Sequence, residues 1–90
     1  MNFEWDPEKA SANFEKHGVT FAEASEVFGD PLSSSVDDPD HSTDDARFLI
    51  FGQSISHKHI VVSFTEQNPS TIWIISAREM TKQEQNAYEQ

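Results

Sequence analysis

Apolar residues in the first third of the chain recur at helical spacing. One predicted stripe, at intervals of three and four residues, is formed by Pro7, Ala10, Phe14 and His17. Asp6 is a favourable N-cap, and Gly18 suits the left-handed position that ends a helix. We therefore predict that Phe14 is buried, so that Phe14→Ala would lower the free energy of unfolding by roughly 3–5 kcal/mol.

A second helix is predicted directly after the first. Thr20 and Glu23 have the spacing of a capping box, in which each side chain bonds the backbone of the other residue. One face of this helix is formed by Phe21, Ala24, Ser25 and Phe28. The Gly-Asp-Pro sequence at 29–31 ends it. The connection between the helices is about two residues long, so they are predicted to pack as a pair.

The second half of the chain contains three runs rich in apolar, β-branched and aromatic residues. They predict strands at 47–54, 60–65 and 71–77. Polar turns at 56–59 and 67–70 separate the strands. Because no crossover helix fits in such short turns, the three strands are predicted to form an antiparallel meander.

Weaker patterns complete the predicted fold. Residues 3–5 are a short strand or an extended lead-in, and residues 32–36 add one weak strand before an acidic loop. Thr81 and Glu84 form a capping box for a C-terminal helix. The predicted fold class is α+β: an N-terminal helix pair, an antiparallel sheet of about four strands and a short C-terminal helix.

Length and composition narrow the class of protein. A chain of 90 residues forms one hydrophobic core, so a single domain over residues 1–90 is predicted. It contains no Cys, which excludes disulfides and thiolate metal sites. Its apolar runs are too short to span a bilayer, and its N-terminus lacks a signal-peptide pattern. We predict a cytoplasmic protein that does not associate with membranes.

The net charge of −10 limits any role with nucleic acid. Affinity for nucleic acid comes largely from phosphate contacts, and the overall field of this chain repels phosphate. A nucleic-acid function must therefore depend on a local cluster of its six Lys and Arg residues. The same acidity favours a basic protein partner.

Several motifs resemble the BrnT family, the toxins of bacterial type II toxin–antitoxin pairs. The motifs are F-x-W-D-P-x-K at 3–9, N-x-x-K-H-G-V-x-F at 13–21, A-x-x-V-F-x-D-P at 24–31, I-I-S-A-R at 74–78 and T-x-x-E-x-x-x-Y at 81–88. The resemblance implies a RelE-like compact fold and a metal-independent endoribonuclease that cleaves RNA and inhibits translation. It implies no cofactor and no bound metal.

The resemblance also implies partners. The substrate would be mRNA, either free or on the ribosome. A BrnA-like antitoxin with a ribbon-helix-helix domain would bind and neutralise the toxin, and would repress the shared operon. Operator DNA would be contacted only through that antitoxin.

A metal-free ribonuclease needs a base, an acid and cations that stabilise the charged phosphorane. Arg78 ends the I-I-S-A-R motif, and its planar guanidinium matches a phosphate. Arg47 begins the central strand and resembles part of the E-x-R-F element of the family. The structural alternative for both residues is an ion pair with a nearby acid.

Three further candidates come from the K-H-G element and the C-terminal motif. His17 could act as acid or base, and Lys16 could hold phosphate. Both could instead complement the dipole at a helix C-terminus. Tyr88 could stack on a base or transfer a proton, although a Tyr on a terminal helix more often packs that helix against the sheet.

One departure from the family pattern supports a second hypothesis. Glu79 follows Arg78 where the family usually has a basic residue, and it would weaken the hold of Arg78 on phosphate. The alternative function is therefore a weak or inactive toxin homologue that acts as a binding module or co-repressor with its antitoxin.

Two patterns suggest metal sites only weakly. The acidic run at 37–45 lacks the glycine and closing glutamate of an EF-hand. His57 and His59 would lie on one side of a strand, but no third ligand has a clear spacing. Trp5 and Trp73 are predicted to be core or interface aromatics rather than base-stacking residues.

Overall fold

The structure is a computed structural model that describes residues 1–38 and 46–90. Its helices and strands are β1 (Asn2–Glu4), α1 (Pro7–His17), α2 (Phe21–Glu26), β2 (Ser34–Asp37), β3 (Phe48–Gln53), β4 (His59–Asn68), β5 (Thr71–Glu79) and α3 (Lys82–Tyr88). A single 3₁₀ turn, Val27–Gly29, extends α2. The arrangement is α+β, as the sequence predicts. No helix in the described part of the chain is long and apolar enough to cross a membrane.

The five strands form one mixed sheet in the order β1-β5-β4-β3-β2. Strands β3, β4 and β5 pair in antiparallel fashion, which confirms the predicted meander, and β2 adds an antiparallel edge. The prediction of an antiparallel sheet of about four strands is wrong at the other edge, because β1 pairs in parallel with β5. A three-residue strand has no periodicity of its own, so only the long-range pairing reveals it.

The apolar core lies between one face of the sheet and helices α1 and α2. We call this the first face, and its central side chains are Ile60, Val62 and Phe64 of β4. Val19 and Phe21 cover these side chains from the helical layer and are almost fully buried. Burial of this apolar surface is the main stabilising contribution to the fold.

The predicted helix ends are largely confirmed. Asp6 accepts a hydrogen bond from the Glu8 backbone N–H at 2.9 Å, and Gly18 has a left-handed φ of 71°. Thr20 accepts from the Glu23 N–H at 3.0 Å, which is half of the predicted capping box. The Glu23 carboxylate instead accepts hydrogen bonds from two serine hydroxyls of the β3–β4 turn. It therefore fastens α2 to that turn.

The predicted burial of Phe14 is wrong. Phe14 is 52% exposed, whereas Asn13 is only 8% exposed. The Asn13 side-chain amide donates to the carbonyl oxygens of Val19 and Ala77, and it accepts from the Ala77 backbone N–H. β1 ends before it reaches this part of β5, so the Ala77 backbone needs another partner. Asn13 supplies that partner, so α1 is oriented with Asn13, and not Phe14, facing the sheet.

Side chains on the opposite side of the sheet form what we call the second face. Strand register assigns to it Ser34, Val36, Leu49, Phe51, Gln53, His59, Val61, Ser63, Thr65, Trp73, Ser76 and Arg78. α3 lies over one end of this face, where it encloses a groove of about 470 Å³ with Phe51 and Val36. Within the described residues, α3 therefore covers only one end of the second face.

Gly52 of β3 packs closely against the turn that follows α2. A Cβ atom at Gly52 would lie 2.8 Å from Val27 Cγ1 and 3.1 Å from Asp30 Oδ2. We expect Gly52→Ala to lower the free energy of unfolding by about 1–3 kcal/mol, because the added Cβ atom overpacks this contact. Gly29→Ala is the matched control, since a Cβ atom there meets nothing within 4 Å. Equal melting temperatures for the two variants would contradict this expectation.

Candidate active site

Arg78 lies near the end of β5 on the second face, opposite Val61 of β4. Its guanidinium donates two hydrogen bonds to the Glu84 carboxylate, at 2.7 and 2.9 Å. These bonds raise the pKa of Arg78 and hold the pKa of Glu84 at about 2. The Arg78 side chain nevertheless remains 41% exposed. The pair thus joins α3 to the sheet while leaving part of the guanidinium open to solvent.

The acid that competes for Arg78 is Glu84, not Glu79 as the sequence suggested. Glu79 offers only its backbone carbonyl, which lies 3.2 Å from an Arg78 nitrogen. Glu84 lies in the first turn of α3, where it also accepts from the Thr81 backbone N–H at 2.9 Å. This second bond completes the predicted capping box. One carboxylate therefore both caps α3 and neutralises Arg78.

Tyr88 closes the other end of α3 onto the sheet. Its hydroxyl donates a hydrogen bond to Asp30, which also accepts from the backbone N–H groups of Gln53 and Leu32. Burial, together with the hydrogen bond to the Asp30 carboxylate, raises the pKa of Tyr88 to about 12. Burial alone would raise the pKa of Asp30, but the hydrogen bonds it accepts outweigh burial and lower it. At neutral pH the pair is therefore a phenol and a carboxylate.

His59 joins this cluster from the start of β4. Its ring meets the Tyr88 ring edge to face, with centroids 5.6 Å apart. The Gln53 amide nitrogen lies 2.8 Å from His59 Nε2, and because an amide nitrogen can only donate, the imidazole nitrogen accepts. The His59 carbonyl accepts from the Met80 N–H, so His59 and Arg78 are diagonal neighbours on the second face. An imidazole, a phenol and a guanidinium thus converge at the end that α3 covers.

Arg47 lies at the opposite end of the second face. It is half-buried and lines a cavity of about 360 Å³ together with Lys9, Thr65 and Trp73. From Trp73 to Arg78 the chain runs five residues along β5, roughly 16 Å at strand rise. The two predicted arginines therefore share a face but not a site.

Lys16 and His17 occupy the last turn of α1, which packs with the first face. Lys16 is exposed and His17 is half-buried. Within residues 1–38 and 46–90, no hydrogen bond or ion pair joins either side chain to Arg78, Arg47 or Tyr88. Their position matches the structural alternative, in which they complement the helix dipole.

The metal hypotheses find no support in the described residues. His57 has a φ of 69° in the β3–β4 turn and lines a groove with Met1 and Phe3, whereas His59 contacts Tyr88. The two imidazoles therefore do not face a shared position. Within the described ranges, no group of three or more His, Asp or Glu side chains could hold a metal ion. Most of the acidic run, residues 39–45, lies outside the described residues.

Comparison with known proteins identifies the family. A family model described as "Ribonuclease toxin, BrnT, of type II toxin-antitoxin system" matches residues 5–84. The chain belongs to the BrnT family. It is therefore the toxin component of a type II toxin–antitoxin system, with ribonuclease activity, an antitoxin partner and RNA targets. This confirms the resemblance found in the sequence motifs.

One solved BrnT structure shares the fold. The 1.1 Å crystal structure of the Brucella abortus ribonuclease toxin BrnT superposes with a TM-score of 0.70 and 23% sequence identity. The match covers 91% of this chain and 99% of that chain. A search of curated proteins found no match.

For this BrnT-family chain, the five residues predicted as catalytic fall into three groups. Arg78 lies on the sheet beneath α3, and Tyr88 lies on α3 itself. Arg47 lies at the far end of the second face. Lys16 and His17 lie on α1. Sequence reasoning missed Asp30, Gln53 and His59 as members of the Tyr88 cluster. Pairing β3 with β4 across their short turn would have predicted the Gln53–His59 contact, because these two residues are register partners.

The Arg78–Glu84 pair makes the folding stability of this BrnT-family chain depend on pH in the acid range. A carboxyl whose folded pKa lies at about 2, below its ordinary 4.5, adds stability above pH 4.5 and loses it as the pH falls toward 2. We expect the melting-temperature difference between the native chain and Glu84→Gln to be constant above pH 4.5 and to shrink below it. Glu79→Gln, which removes the same charge one residue from Arg78, is the control. A difference that does not change with pH would show that the pair contributes nothing through Glu84 ionisation.

Proposed function

We propose that this chain is a metal-independent endoribonuclease that binds RNA on the second face and cleaves it beneath α3. The observation that carries this proposal is the two-bond contact of the Arg78 guanidinium with a carboxylate at 2.7 and 2.9 Å. A phosphate offers the same pair of oxygens to a planar guanidinium. Glu84 thus occupies the position that we assign to the phosphate next to the cleaved bond.

The chemistry proposed is attack of the ribose 2′-hydroxyl on the adjacent phosphorus. The bond to the 5′-oxygen of the next nucleotide breaks, which leaves a 2′,3′-cyclic phosphate and a 5′-hydroxyl. Arg78 neutralises the charge that builds up on the phosphorane oxygens. No metal is required, because proton transfer and charge stabilisation both come from side chains.

Two groups beside Arg78 suit the proton transfers. The His59 imidazole is proposed as the base, since it lies diagonally across the strand pair from Arg78, and its Nε2 lone pair, which accepts from Gln53 in this structure, would accept the 2′-hydroxyl proton in place of that bond. Tyr88, with its pKa raised to about 12, stays protonated and suits the role of donor to the leaving oxygen. Arg47 is proposed to bind RNA away from the cleaved bond. Catalytic roles for Lys16 and His17 stay predictions that no described contact supports.

We further propose that residues 1–90 act as a single RelE-like toxin domain with a BrnA-like, ribbon-helix-helix antitoxin. The net charge of −10 favours a basic partner surface. Operator DNA would then be contacted by the antitoxin rather than by this acidic chain. Competition between RNA and the antitoxin for the second face would explain how the antitoxin neutralises the toxin.

Two observations favour a second candidate function. Arg78 is already paired with Glu84, and six Lys and Arg residues oppose sixteen acids. A chain with these properties would retain antitoxin binding and operon repression while cleaving RNA only weakly. This binding-module function differs from the first in a single measurable property, which is the rate of RNA cleavage.

The deciding experiment incubates the purified chain with total bacterial RNA in excess EDTA, with and without ribosomes. We expect fragments that end in 2′,3′-cyclic phosphate and 5′-hydroxyl groups, as the proposed chemistry requires. A mock purification from cells without the gene controls for contaminating ribonucleases. Intact RNA in both arms, with the protein folded by circular dichroism, would reject the ribonuclease proposal and favour the binding module.

A further inference from the structure

The cavity at the end of the second face away from α3 combines an aromatic side chain with two cations. It measures about 360 Å³ and is lined by Lys9, Ala46, Arg47, Thr65, Glu66, Trp73 and Ile75. Strands β4 and β5 contribute to it, Ala46 and Arg47 line it just before β3 begins, and Lys9 reaches it from α1. Thr65 and Trp73 open the cavity onto the second face, where RNA is proposed to bind, and Lys9 closes it from the α1 side of the sheet.

Trp73 lies outside the apolar core, so of the core and interface positions expected from the sequence the structure excludes the core. It is half-buried, it lies opposite Thr65 on the second face, and it is absent from the apolar core cluster. Among the described residues it makes no ring–ring contact, whereas Trp5 packs edge to face on Phe21 at 5.9 Å. Part of the Trp73 indole is thus accessible from the cavity.

Within residues 1–38 and 46–90, the two cations of this cavity differ from Lys58 and Arg78 in having no acidic partner. The Lys58 Nζ atom lies 3.8 Å from Glu23 Oε1, and Arg78 is paired with Glu84. For Lys9 and Arg47, no carboxylate within the described ranges lies at ion-pair distance. Glu66 also lines the cavity and reduces its positive potential. Two of the six Lys and Arg residues nevertheless line one cavity together with Trp73, in a chain of net charge −10.

We propose that this cavity is a nucleotide subsite for single-stranded RNA. The base stacks on Trp73, and a phosphate lies between Arg47 and Lys9. Stacking on an aromatic ring tolerates any base, and a pair of cations holds the backbone without reading sequence. The proposal rests on the proposed function, because it assumes that the strand continues from here to Arg78, roughly 16 Å away along β5.

The subsite explains how so acidic a chain retains RNA. Arg78 must exchange Glu84 for phosphate, so its contact alone contributes little net affinity in the ground state. A second contact several nucleotides away holds the strand without that exchange. Binding energy from a remote part of the substrate can then favour the displacement of Glu84 at the reacting phosphate.

The test measures fluorescence of Trp73 alone. Trp5→Phe removes the other tryptophan and retains an aromatic ring against Phe21. The probe is a short single-stranded oligoribonucleotide of mixed sequence with 2′-O-methyl groups, which cannot be cleaved through the 2′-hydroxyl. A fluorescein label on a second sample of the probe reports total binding by anisotropy, independently of the tryptophan signal.

We expect the probe to quench Trp73 emission, and added salt to reverse the quenching. Arg47→Ala in the same background should weaken binding about tenfold and reduce the slope of log affinity against log salt by about 0.7, the value for one phosphate contact. Lys58→Ala is the matched control, because it removes the same charge from a residue that does not line the cavity. It should leave both quantities nearly unchanged.

Three results would overturn the proposal. Binding by anisotropy without a change in Trp73 emission would place RNA elsewhere. Equal effects of Arg47→Ala and Lys58→Ala would show only a general dependence on charge. Absence of binding at low salt by folded protein would remove the subsite. RNA cleavage by the native chain, measured separately, distinguishes these failures from failure of the ribonuclease proposal.

Discussion

Arg78→Ala is expected to reduce RNA cleavage at least 100- to 1,000-fold without unfolding the protein. Removal of one group that stabilises developing charge costs an enzyme about this much, and Arg78 is the cation proposed to contact the phosphorane. The effect on stability should be small, about 0–1 kcal/mol, since Arg78 is 41% exposed and exposed ion pairs contribute little. The measurements are the cleavage rate in EDTA and the melting temperature of the same preparation.

Two substitutions make the Arg78 result specific. Arg78→Lys keeps the charge and loses the two-pronged geometry, so it should recover only part of the activity. Glu84→Gln keeps the shape of the competing side chain and removes its charge, so RNA should bind more tightly. A fully active Arg78→Ala would indicate a contaminant or a different site. A loss of several kcal/mol of stability would indicate a structural arginine.

Asn13→Ala is expected to destabilise the fold by about 3–5 kcal/mol, far more than removal of the large apolar side chain next to it. The substitution leaves the N–H and carbonyl of Ala77, together with the Val19 carbonyl, without their hydrogen-bond partner. Each buried backbone group left unpaired costs about 1–3 kcal/mol. For a domain of this size the melting temperature should fall by more than about 10 °C.

Phe14→Ala is the control for this prediction. The side chain is 52% exposed, so its removal should change the free energy of unfolding by less than about 0.5 kcal/mol. Asn13→Asp keeps the acceptor for the Ala77 N–H but sets a buried carboxylate oxygen against the Val19 and Ala77 carbonyls, so at neutral pH it should destabilise the fold at least as much as Asn13→Ala. A larger loss for Phe14→Ala than for Asn13→Ala would restore the original prediction of a buried Phe14 and contradict the helix orientation described above.

The sequence predicted those parts of the fold that depend on neighbouring residues. Asp6, Gly18 and Thr81 act within one helical turn, and the structure confirms each as a helix end. The meander was predictable because its turns are too short for any other connection. The helix stripe was not predictable, because apolar spacing cannot show that a strand edge requires an amide partner.

The candidate site was predicted only in part. Arg78 and Tyr88 come from motifs, but their partners Glu84 and Asp30 do not follow from those motifs. Glu79 was the natural competitor by adjacency, yet alternation along β5 places its side chain on the opposite face from Arg78. Arg47 and Arg78 share one face without sharing a site, which only the length of β5 makes evident.

The sequence by itself determined the family, the helix ends and the meander. Motifs, helix caps and short turns each depend on residues that are close together in the sequence. The tertiary structure decided which groups meet. Asn13 bonds Ala77 across 64 positions, and Tyr88 bonds Asp30 across 58. Such pairs form because the sheet order places β5 beside β1 and β2 beside β3, where α3 lies over them. Their free energy depends on that assembled arrangement, and no local pattern encodes it.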